Sequence, residues 1–314
     1  MTITADTPVF LASGRSESVS FFDGATLRGN QIALNSGSVA TQFRNTRFVL
    51  PPLGKAALEA ALPNITTTNG NSYGRMPPGE AYLLRHAAIL YDRKATAYRA
   101  CLDGLLDDGI IDKLDGLMIL AAPFQATALQ NAAQAQYNGA LVGAPGFVAG
   151  QGFSGADAGN YVNLAYNPGG ATTMQFQQNS AFMALWKGAG LSQNVRGGSN
   201  NSRVGHTAGG EVMIRPNSGT TIQQAPGGDY AMAWWTRGDA STASWGVDGA
   251  TVGNAIASAS AAITSATMGI GSLGGVASTG NGLHRAFAAG GYLTVAEKEK
   301  LRVRVDALLA ALEA

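Results

Sequence analysis

The sequence predicts a mainly β protein: a sandwich or jelly roll that follows a helical segment and a small N-terminal β module and ends in a helix. The 314-residue chain contains 42 glycines, about twice the usual share, and only 13% charged residues. Short apolar runs recur at spacings of roughly 8–12 residues in the second half, with glycine-rich turns between them. A hydrophobic content of 46% is sufficient to bury the core of such a sandwich.

The first 79 residues are predicted to form a module and a linker. Residues 1–50 alternate in a loose strand-like way between turn signals, which predicts about four strands. A proline pair ends these strands, and residues 53–63 have the pattern of a short helix. Residues 64–79 have no apolar period, which is typical of a linker or an extended arm. We therefore define a β-rich module over residues 1–63.

Residues 80–116 are predicted to be a helical connector. Apolar residues at spacings of three and four place one stripe on an amphipathic helix that begins at Glu80 and ends near Gly109. Cys101, the only cysteine, falls within this helix among apolar neighbours. A buried thiol acting as a small hydrophobe is the interpretation that this position favours, because no histidine lies near it in the sequence to act as a base.

Residues 117–314 carry the predicted β domain. The continuous apolar run Leu117–Ala122 is typical of a strand that is buried on both faces. A capping box from Thr294 to Glu297, followed by one apolar stripe, predicts a C-terminal helix of about eighteen residues. Further strands are predicted where short runs are bounded by turn residues, namely over residues 161–166, 182–186, 203–206, 211–215, 230–237, 244–247, 268–273 and 283–289.

Composition and motifs argue against several classes of function. A net charge of +1 gives no electrostatic argument for binding nucleic acid. The sequence has no run of ~20 consecutive apolar residues, so no membrane insertion is expected. Zinc, nucleotide-binding and serine-nucleophile motifs do not occur, and we expect neither a metal nor another cofactor. The N-terminus lacks the basic and apolar regions of a secretory signal, which predicts synthesis in the cytoplasm.

The order of the segments resembles bacteriophage virion proteins that have a C-terminal concanavalin A-like, also called laminin G-like, jelly roll. The resemblance covers residues 85–314 and is strongest at the two ends of that range, whereas residues 1–79 match nothing in the family. The segments that carry it are DDGIIDKLDGLMILAA (107–122), QATALQN (125–131), YNGALVGAPGFVAGQGFSGADAGNYVNLAYNP (137–168) and HRAFAAGGYLTVAEKEKLRVRVDALLAAL (284–312).

The resemblance implies a structural protein of a phage or gene-transfer-agent particle, located in a tail fibre, head fibre, spike or decoration. The family shares no catalytic motif, so the implied protein is not an enzyme. Residues 1–63 would attach it to the particle, and its partners would be other virion proteins and further copies of itself in a homo-oligomer. The protein would be assembled in the host cytoplasm and exposed on the released particle. Calcium ligands, which many laminin G-like domains carry, cannot be matched here residue by residue.

The candidate binding site combines aromatic and polar side chains on two predicted neighbouring strands. Aromatic faces stack on the C–H surfaces of sugars, while charged and amide groups supply directional hydrogen bonds. Strand alternation predicts that one ring of the pair Trp234 and Trp235 points inward and the other outward. The tripeptide Arg237-Gly238-Asp239 is interpreted as a turn and not as a cell-adhesion signal. Contact with host surface carbohydrate is assigned to Trp235, Arg237, Asp239 and Trp245.

Two alternatives to carbohydrate binding stay open at this point. A polysaccharide-cleaving spike enzyme would need two carboxylates separated by ~5 to 9.5 Å. The acids between Leu117 and Thr294 do not form the E-x-D-x-x-E array of jelly-roll glucanases; they are Asp157, Glu211, Asp229, Asp239 and Asp248. A decoration or tail protein without a ligand is the second alternative, and it would stabilise the particle through subunit contacts alone.

Overall fold

The computed structural model describes residues 94–313 with gaps at 135, 155–158, 170–173, 189–194, 208, 227, 264, 274–275 and 278–281. Before residue 94 it describes residues 2–4, 9–13, 20–22, 26–28, 46–49, 79 and 82–83. The chain divides into two compact units, Met1–Tyr91 and Asp92–Ala314. The short helix predicted over residues 53–63 and nearly all of the predicted linker lie outside the described residues.

The described part of the first unit contains five short strands, where the alternating sequence predicts about four, and the helical residues Gly79, Tyr82 and Leu83. The strands are β1 (Thr2–Thr4), β2 (Val9–Ser13), β3 (Ser20–Phe22), β4 (Thr26–Arg28) and β5 (Thr46–Val49). Strand β1 pairs antiparallel with β4, and β2 pairs antiparallel with both β3 and β5.

The second unit contains the helices α1 (Lys94–Asp107), α2 (Gln125–Ala128) and α3 (Val295–Glu313). No described helix is long and apolar enough to cross a membrane. The strands are β6 (Leu114–Ile119), β7 (Ala140–Val142), β8 (Gly146–Val148), β9 (Gly152–Ser154), β10 (Tyr161–Asn163), β11 (Ala181–Lys187), β12 (Val195–Gly198), β13 (Ser202–His206), β14 (Val212–Pro216), β15 (Ile222–Gln224), β16 (Met232–Arg237), β17 (Thr242–Val247), β18 (Ala250–Ala257), β19 (Gly269–Ile270), β20 (Ser272–Leu273), β21 (Val276–Ala277) and β22 (Leu283–Gly290).

Two antiparallel sheets make up most of this unit. The seven-stranded sheet has the order β15-β14-β13-β12-β19-β10-β7. The eight-stranded sheet has the order β18-β17-β16-β11-β22-β9-β8, and β6 joins it by pairing with β22. The predicted fold class is confirmed: the protein is mainly β, with two antiparallel sheets and a C-terminal helix, as in a jelly-roll sandwich.

The core lies between the inner faces of the two sheets. Met183, Trp235 and Phe287 point inward from the eight-stranded sheet and are fully buried. Val204 and Ile214 point inward from the seven-stranded sheet and belong to the same apolar cluster. Because side chains alternate along a strand, the neighbours of these residues point to the two outer faces.

Helix α3 covers the outer face of the eight-stranded sheet. Its predicted capping box is confirmed, since Glu297 N donates to Thr294 Oγ1 at 3.2 Å and Thr294 N donates to Glu297 Oε2 at 3.0 Å. Trp186 Nε1 donates to Asp306 Oδ1 of the helix at 2.9 Å. Helix α1 packs along α3, and its buried Cys101 confirms the interpretation of that thiol as a core group.

A buried carboxylate organises the entry into the sandwich. A 3₁₀ turn over Ile111–Lys113 ends the connector, and β6 begins at Leu114, three residues earlier than Leu117, where the sequence predicted it. Asp115 accepts hydrogen bonds from Tyr166 Oη at 2.9 Å and from the backbone N of Phe176 at 2.8 Å. These bonds satisfy a carboxylate that is only 3% exposed, so an acid is tolerated within an otherwise apolar strand.

Candidate functional site

The rings of Trp235 and Trp245, both assigned to a sugar site from the sequence, lie inside the sandwich. They are register partners on β16 and β17, and they are 0% and 1% exposed. Trp235 Nε1 donates to the backbone O of Arg203 at 3.0 Å, which ties the two sheets together. Neither ring offers a face to a sugar in this structure, so contact through them would require the core to open.

The expectation that one ring of the adjacent tryptophan pair is exposed is corrected by the structure. Trp234 does point to the outer face, as alternation predicts, but it is 0% exposed. Lys298 Nζ of α3 lies 4.5 Å from its ring centroid, and Trp234 Nε1 donates to the backbone O of Asp248 at 3.1 Å. The sequence predicts the C-terminal helix but not which side of the sheet it covers.

Arg237 and Asp239 serve to hold loops in place. The Arg237 guanidinium is fully buried, and it donates to the backbone oxygens of Pro216 at 2.8 Å and Ser258 at 2.7 Å. The Asp239 carboxylate caps its own turn by accepting hydrogen bonds from the backbone N of Ser241 at 2.7 Å and of Thr242 at 2.6 Å. A hydrogen bond from the Thr242 hydroxyl, together with these backbone bonds, holds the pKa of Asp239 well below its usual range. The buried arginine agrees with the interpretation of this tripeptide as a turn.

The acids considered for glycan hydrolysis have local hydrogen-bonding roles. Asp157 lies outside the described residues. Glu211 Oε2 accepts from Gln223 Nε2 at 2.6 Å, and Asp248 Oδ1 accepts from the backbone N of Met232 at 2.8 Å. The described residues contain no cluster of three or more His, Cys, Asp or Glu side chains that could hold a metal ion.

A group of titratable side chains lies where β11 and β13 end and β16 begins: Lys187, His206 and Tyr230 are buried, and Asp229 is exposed. The His206 and Tyr230 rings are stacked with centroids 4.1 Å apart, and Lys187 Nζ lies 2.8 Å from Asp229 Oδ1. Burial lowers the pKa of His206 to about 2 and raises the pKa of Tyr230. The imidazole is therefore neutral near pH 7, and its low basicity makes it a poor general base.

A second buried histidine joins the two sheets. His284 Nδ1 lies 3.1 Å from the backbone O of Phe153, and Arg196 N donates to His284 Nε2 at 3.1 Å. This pair of contacts requires the neutral tautomer with its proton on Nδ1. Burial lowers the pKa of His284 to about 4, which agrees with that assignment.

Three arginines, Arg196, Arg203 and Arg215, form what we call the arginine face on the outer side of the seven-stranded sheet. Arg203 and Arg215 alternate with the inward-pointing Val204 and Ile214, so they point outward. Arg196 points outward because a Cβ on its neighbour Gly197 would meet the core ring of Phe287 at 3.1 Å. All three side chains are partly exposed.

The sheet register brings these three positive charges together. Arg203 is directly opposite Arg215, and Arg196 pairs with Gly205, so Arg196 is diagonal to Arg203. Directly opposite side chains have Cβ atoms ~4.5–5.5 Å apart, and long diagonal side chains also come within reach. Burial and the charges of the other two guanidinium groups lower the pKa of Arg203.

The three guanidinium groups hold incomplete sets of partners. Arg203 Nη2 donates to Thr221 Oγ1 at 2.5 Å, and Arg215 donates to the backbone oxygens of Asn200 at 2.8 Å and Gly219 at 2.6 Å. The Nε atoms of all three arginines are buried and have no hydrogen-bond partner among the described residues. Within the described part of the chain, none of the three forms an ion pair.

Such an arrangement suits an anion. Like charges directly opposite each other destabilise a sheet, whereas a carboxylate between them would supply both counter-charge and hydrogen-bond acceptors. Sequence reasoning missed this face because Arg203 and Arg215 lie in separate predicted strands and Arg196 lies in none. Alternation could have placed Arg203 and Arg215 outward, but their pairing follows only from the register.

The two sheets, their interior tryptophans and the C-terminal helix define this protein as a mainly β sandwich. No protein-family model matches the sequence, and no curated protein matches it. Solved structures similar to it include one of botulinum neurotoxin type C, whose cell entry depends on interaction with two ganglioside molecules. That likeness has a TM-score of 0.44 and 13% identity, and it covers 64% of this chain and 53% of the other.

Two further solved structures are similar at the same level. Trypanosoma rangeli sialidase gives a TM-score of 0.42 at 11% identity over 63% of this chain and 33% of the sialidase chain. The binding domain of botulinum neurotoxin DC in complex with SialylT gives a TM-score of 0.41 at 12% identity over 63% and 52% of the two chains. The matched region therefore spans about half of each neurotoxin chain and a third of the sialidase chain.

Proposed function

We propose that this protein is a phage-type virion structural protein whose jelly roll binds host surface carbohydrate through the outer face of its seven-stranded sheet. The observation that carries this proposal is the arginine face, where three guanidinium groups meet at a partly exposed surface and form no ion pair within the described part of the chain. The site proposed from the sequence, around Trp235 and Trp245, is replaced by this face because both rings are buried.

The remaining polar side chains of the same face suit a sugar ligand. Tyr161 and Asn163 flank the inward-pointing Val162 on β10, so they point outward, and both are partly exposed. Gln223 is exposed on β15 at the other end of the sheet. Sugar sites combine an aromatic ring with a few placed polar groups, and this face carries both kinds of side chain.

The virion part of the proposal is supported by the sequence resemblance. The two segments that carry it most strongly, residues 107–122 and 284–312, contain strands β6 and β22, and these two strands pair with each other. The resemblance is therefore concentrated where β6 and β22 pair in the eight-stranded sheet. Under this proposal residues 1–63 contact other virion proteins, further copies of the chain assemble beside it, and the jelly roll is exposed on the released particle.

Binding of the full chain to an array of bacterial surface polysaccharides tests the ligand. We expect binding without release of new reducing ends, and we expect Tyr161→Ala to weaken it. Tyr292→Ala is the matched control, because Tyr292 is also exposed but follows β22 of the other sheet. If no polysaccharide binds, the carbohydrate role is wrong; release of reducing ends would instead favour the spike-enzyme alternative.

Antibody labelling of released particles tests the virion role separately. An antibody raised against residues 94–313 is expected to mark a head or tail appendage in electron micrographs of the particles. Particles that contain no copy of the chain by both labelling and mass spectrometry would overturn this part of the proposal. That result would leave the carbohydrate-binding part to be judged on the array alone.

A further inference from the structure

We infer that the arginine face selects an acidic polysaccharide and binds the carboxylate groups of its sugars. This inference rests on the proposed carbohydrate function and names the substrate class of the same face. The charge, the donor geometry and the limited extent of Arg196, Arg203 and Arg215 support it.

The charge of the face is fixed by the fold. Guanidinium groups stay protonated at all pH values at which the protein is folded, so Arg203 and Arg215 cannot relieve their repulsion by losing a proton. The neighbouring acid, Glu211, immediately precedes β14; it accepts a hydrogen bond from Gln223 and is in none of the ion pairs among the described residues. The field at the face therefore attracts an anion from solution.

The donor geometry favours carboxylate. Contacts to Thr221, Asn200 and Gly219 hold Arg203 and Arg215 in place, so little side-chain freedom is lost on binding. The planar fork of a guanidinium group matches the two oxygens of a carboxylate and donates a hydrogen bond to each of them. Arg196, whose side chain makes no hydrogen bond to any described residue, is available to a second acidic group on the same polymer.

The limited extent of the face argues against nucleic acid as the ligand. Double-stranded DNA carries one charge per ~1.7 Å of its axis, and affinity depends on neutralising several phosphates in a row. Three arginines on neighbouring strands β12, β13 and β14 match one or two acidic groups, and the overall net charge is only +1. An acidic polysaccharide, with one carboxylate for each sugar or each repeat, has the lower charge density that fits this patch.

Calorimetric titration of the full chain with four polymers tests the inference. Polygalacturonate supplies carboxylates, dextran is neutral, dextran sulfate supplies sulfates, and single-stranded DNA supplies phosphates. We expect polygalacturonate to bind at least about tenfold more tightly than the other three, because charge-assisted bidentate hydrogen bonds discriminate by that order. Its affinity should fall as salt is raised, because the face is partly exposed.

Variants assign that binding to the face. Arg203→Gln and Arg215→Gln are each expected to weaken polygalacturonate binding about tenfold, and Arg203→Lys, which keeps the charge but loses the fork, should weaken it less. Arg304→Gln makes the same change of charge on α3, where Arg304 pairs with Asp108, and it should not alter binding. Circular dichroism of each variant verifies that it is folded.

The outcomes separate this inference from the proposed function. If dextran binds as tightly as polygalacturonate and Tyr161→Ala weakens both, the acidic assignment is wrong but carbohydrate binding stands. If dextran sulfate or single-stranded DNA binds more tightly, carboxylate is the wrong group. If no polysaccharide binds here or on the array, the inference and the proposed function fail together. Unchanged binding by folded Arg203→Gln and Arg215→Gln would place the acidic site elsewhere and overturn the assignment.

Discussion

The two outer faces of the sandwich differ in whether their polar side-chain atoms have hydrogen-bond partners. On the eight-stranded sheet, helix α3 covers Trp186 and Trp234, and each indole N–H donates to an acceptor. On the seven-stranded sheet, Arg196, Arg203 and Arg215 lie side by side, and no described residue accepts a hydrogen bond from their Nε atoms. The described helices are on the other side, where α1 packs on α3, or beside β6, where α2 lies.

The difference shows which face is built for stability and which is available for a ligand. Buried aromatic rings with satisfied hydrogen bonds contribute to the free energy of folding, so selection for a stable domain explains the helix-covered face. Adjacent like charges oppose folding, and a fold that keeps them requires another reason for their presence. Substitutions on the first face should therefore affect stability, while those on the second should affect binding.

The largest effect is expected from Trp234→Ala on the helix-covered face. Removing this fully buried ring leaves a cavity between the sheet and α3, which should lower the free energy of unfolding by about 3–5 kcal/mol. Urea denaturation measures the loss, and polygalacturonate binding by the remaining folded protein should be unchanged. A loss below about 1 kcal/mol would mean that α3 does not hold this face closed.

The next largest effect is expected at His284, which hydrogen-bonds to Phe153 of one sheet and to Arg196 of the other. Its pKa is about 4 in the folded protein and about 6.5 in the unfolded chain, so the unfolded state binds more protons between these values. Stability is then fully present above about pH 6.5 and falls by about 3 kcal/mol as the pH is lowered to about 4. His206 adds a fall that continues below pH 4, since burial lowers its pKa to about 2.

Comparing the wild type with His284→Gln isolates this contribution. The variant should be less stable at pH 7, and its stability should depend less on pH between about 6.5 and 4, so the two curves converge on acidification. Denaturation at a series of pH values provides the measurement. Parallel curves for the two proteins would show that His284 does not titrate in this way.

A smaller effect is expected at Lys298, the cation of α3 that lies over Trp234. Its side chain is fully buried, and Nζ lies 3.1 Å from the backbone O of Gly249. Lys298→Met keeps most of the volume but removes the cation–π contact and the hydrogen bonds, which should cost about 1–2 kcal/mol. Lys300→Met is the control, because Lys300 is exposed and its surface ion pair with Asp108 contributes less than about 1 kcal/mol.

Local sequence signals predicted much of the fold. Apolar runs bounded by turn residues placed strands at β6, β11, β16 and β22, and the capping box placed α3. Strand β18 (Ala250–Ala257) was missed, because its sequence ATVGNAIA has neither a period of two nor bounding turn residues at both ends. Its pairing with β17 contains two register shifts, which also disrupt the alternation.

The candidate site was predicted less well, for a physical reason. Residue type indicated that Trp235 and Trp245 could stack on sugars, but their exposure depends on how two sheets close and where α3 lies. Those are contacts between residues far apart in the chain, and a single sequence does not record them. The same limit concealed the juxtaposition of Arg203 and Arg215, which depends on the register of β13 against β14.

The smallest expected effect on stability is also the sharpest test of the comparison. Arg196 contributes a guanidinium group that repels Arg203 and holds a buried Nε without a partner, so Arg196→Gln should raise the free energy of unfolding by about 0.2–0.5 kcal/mol. Arg304→Gln, the control, loses its contact with Asp108 and should not be stabilising. Thermal and urea denaturation both measure the change.

Whether Arg196→Gln raises or lowers the free energy of unfolding decides whether the arginine face is retained for a ligand or for stability. If Arg196→Gln is stabilising and also weakens polygalacturonate binding, the arginine opposes folding and is retained for its ligand. If the variant instead loses more than about 1 kcal/mol, Arg196 has a structural role in the unliganded protein. The outer face of the seven-stranded sheet would then be, like its helix-covered counterpart, a surface built for stability, because its charges would already be compensated within the fold.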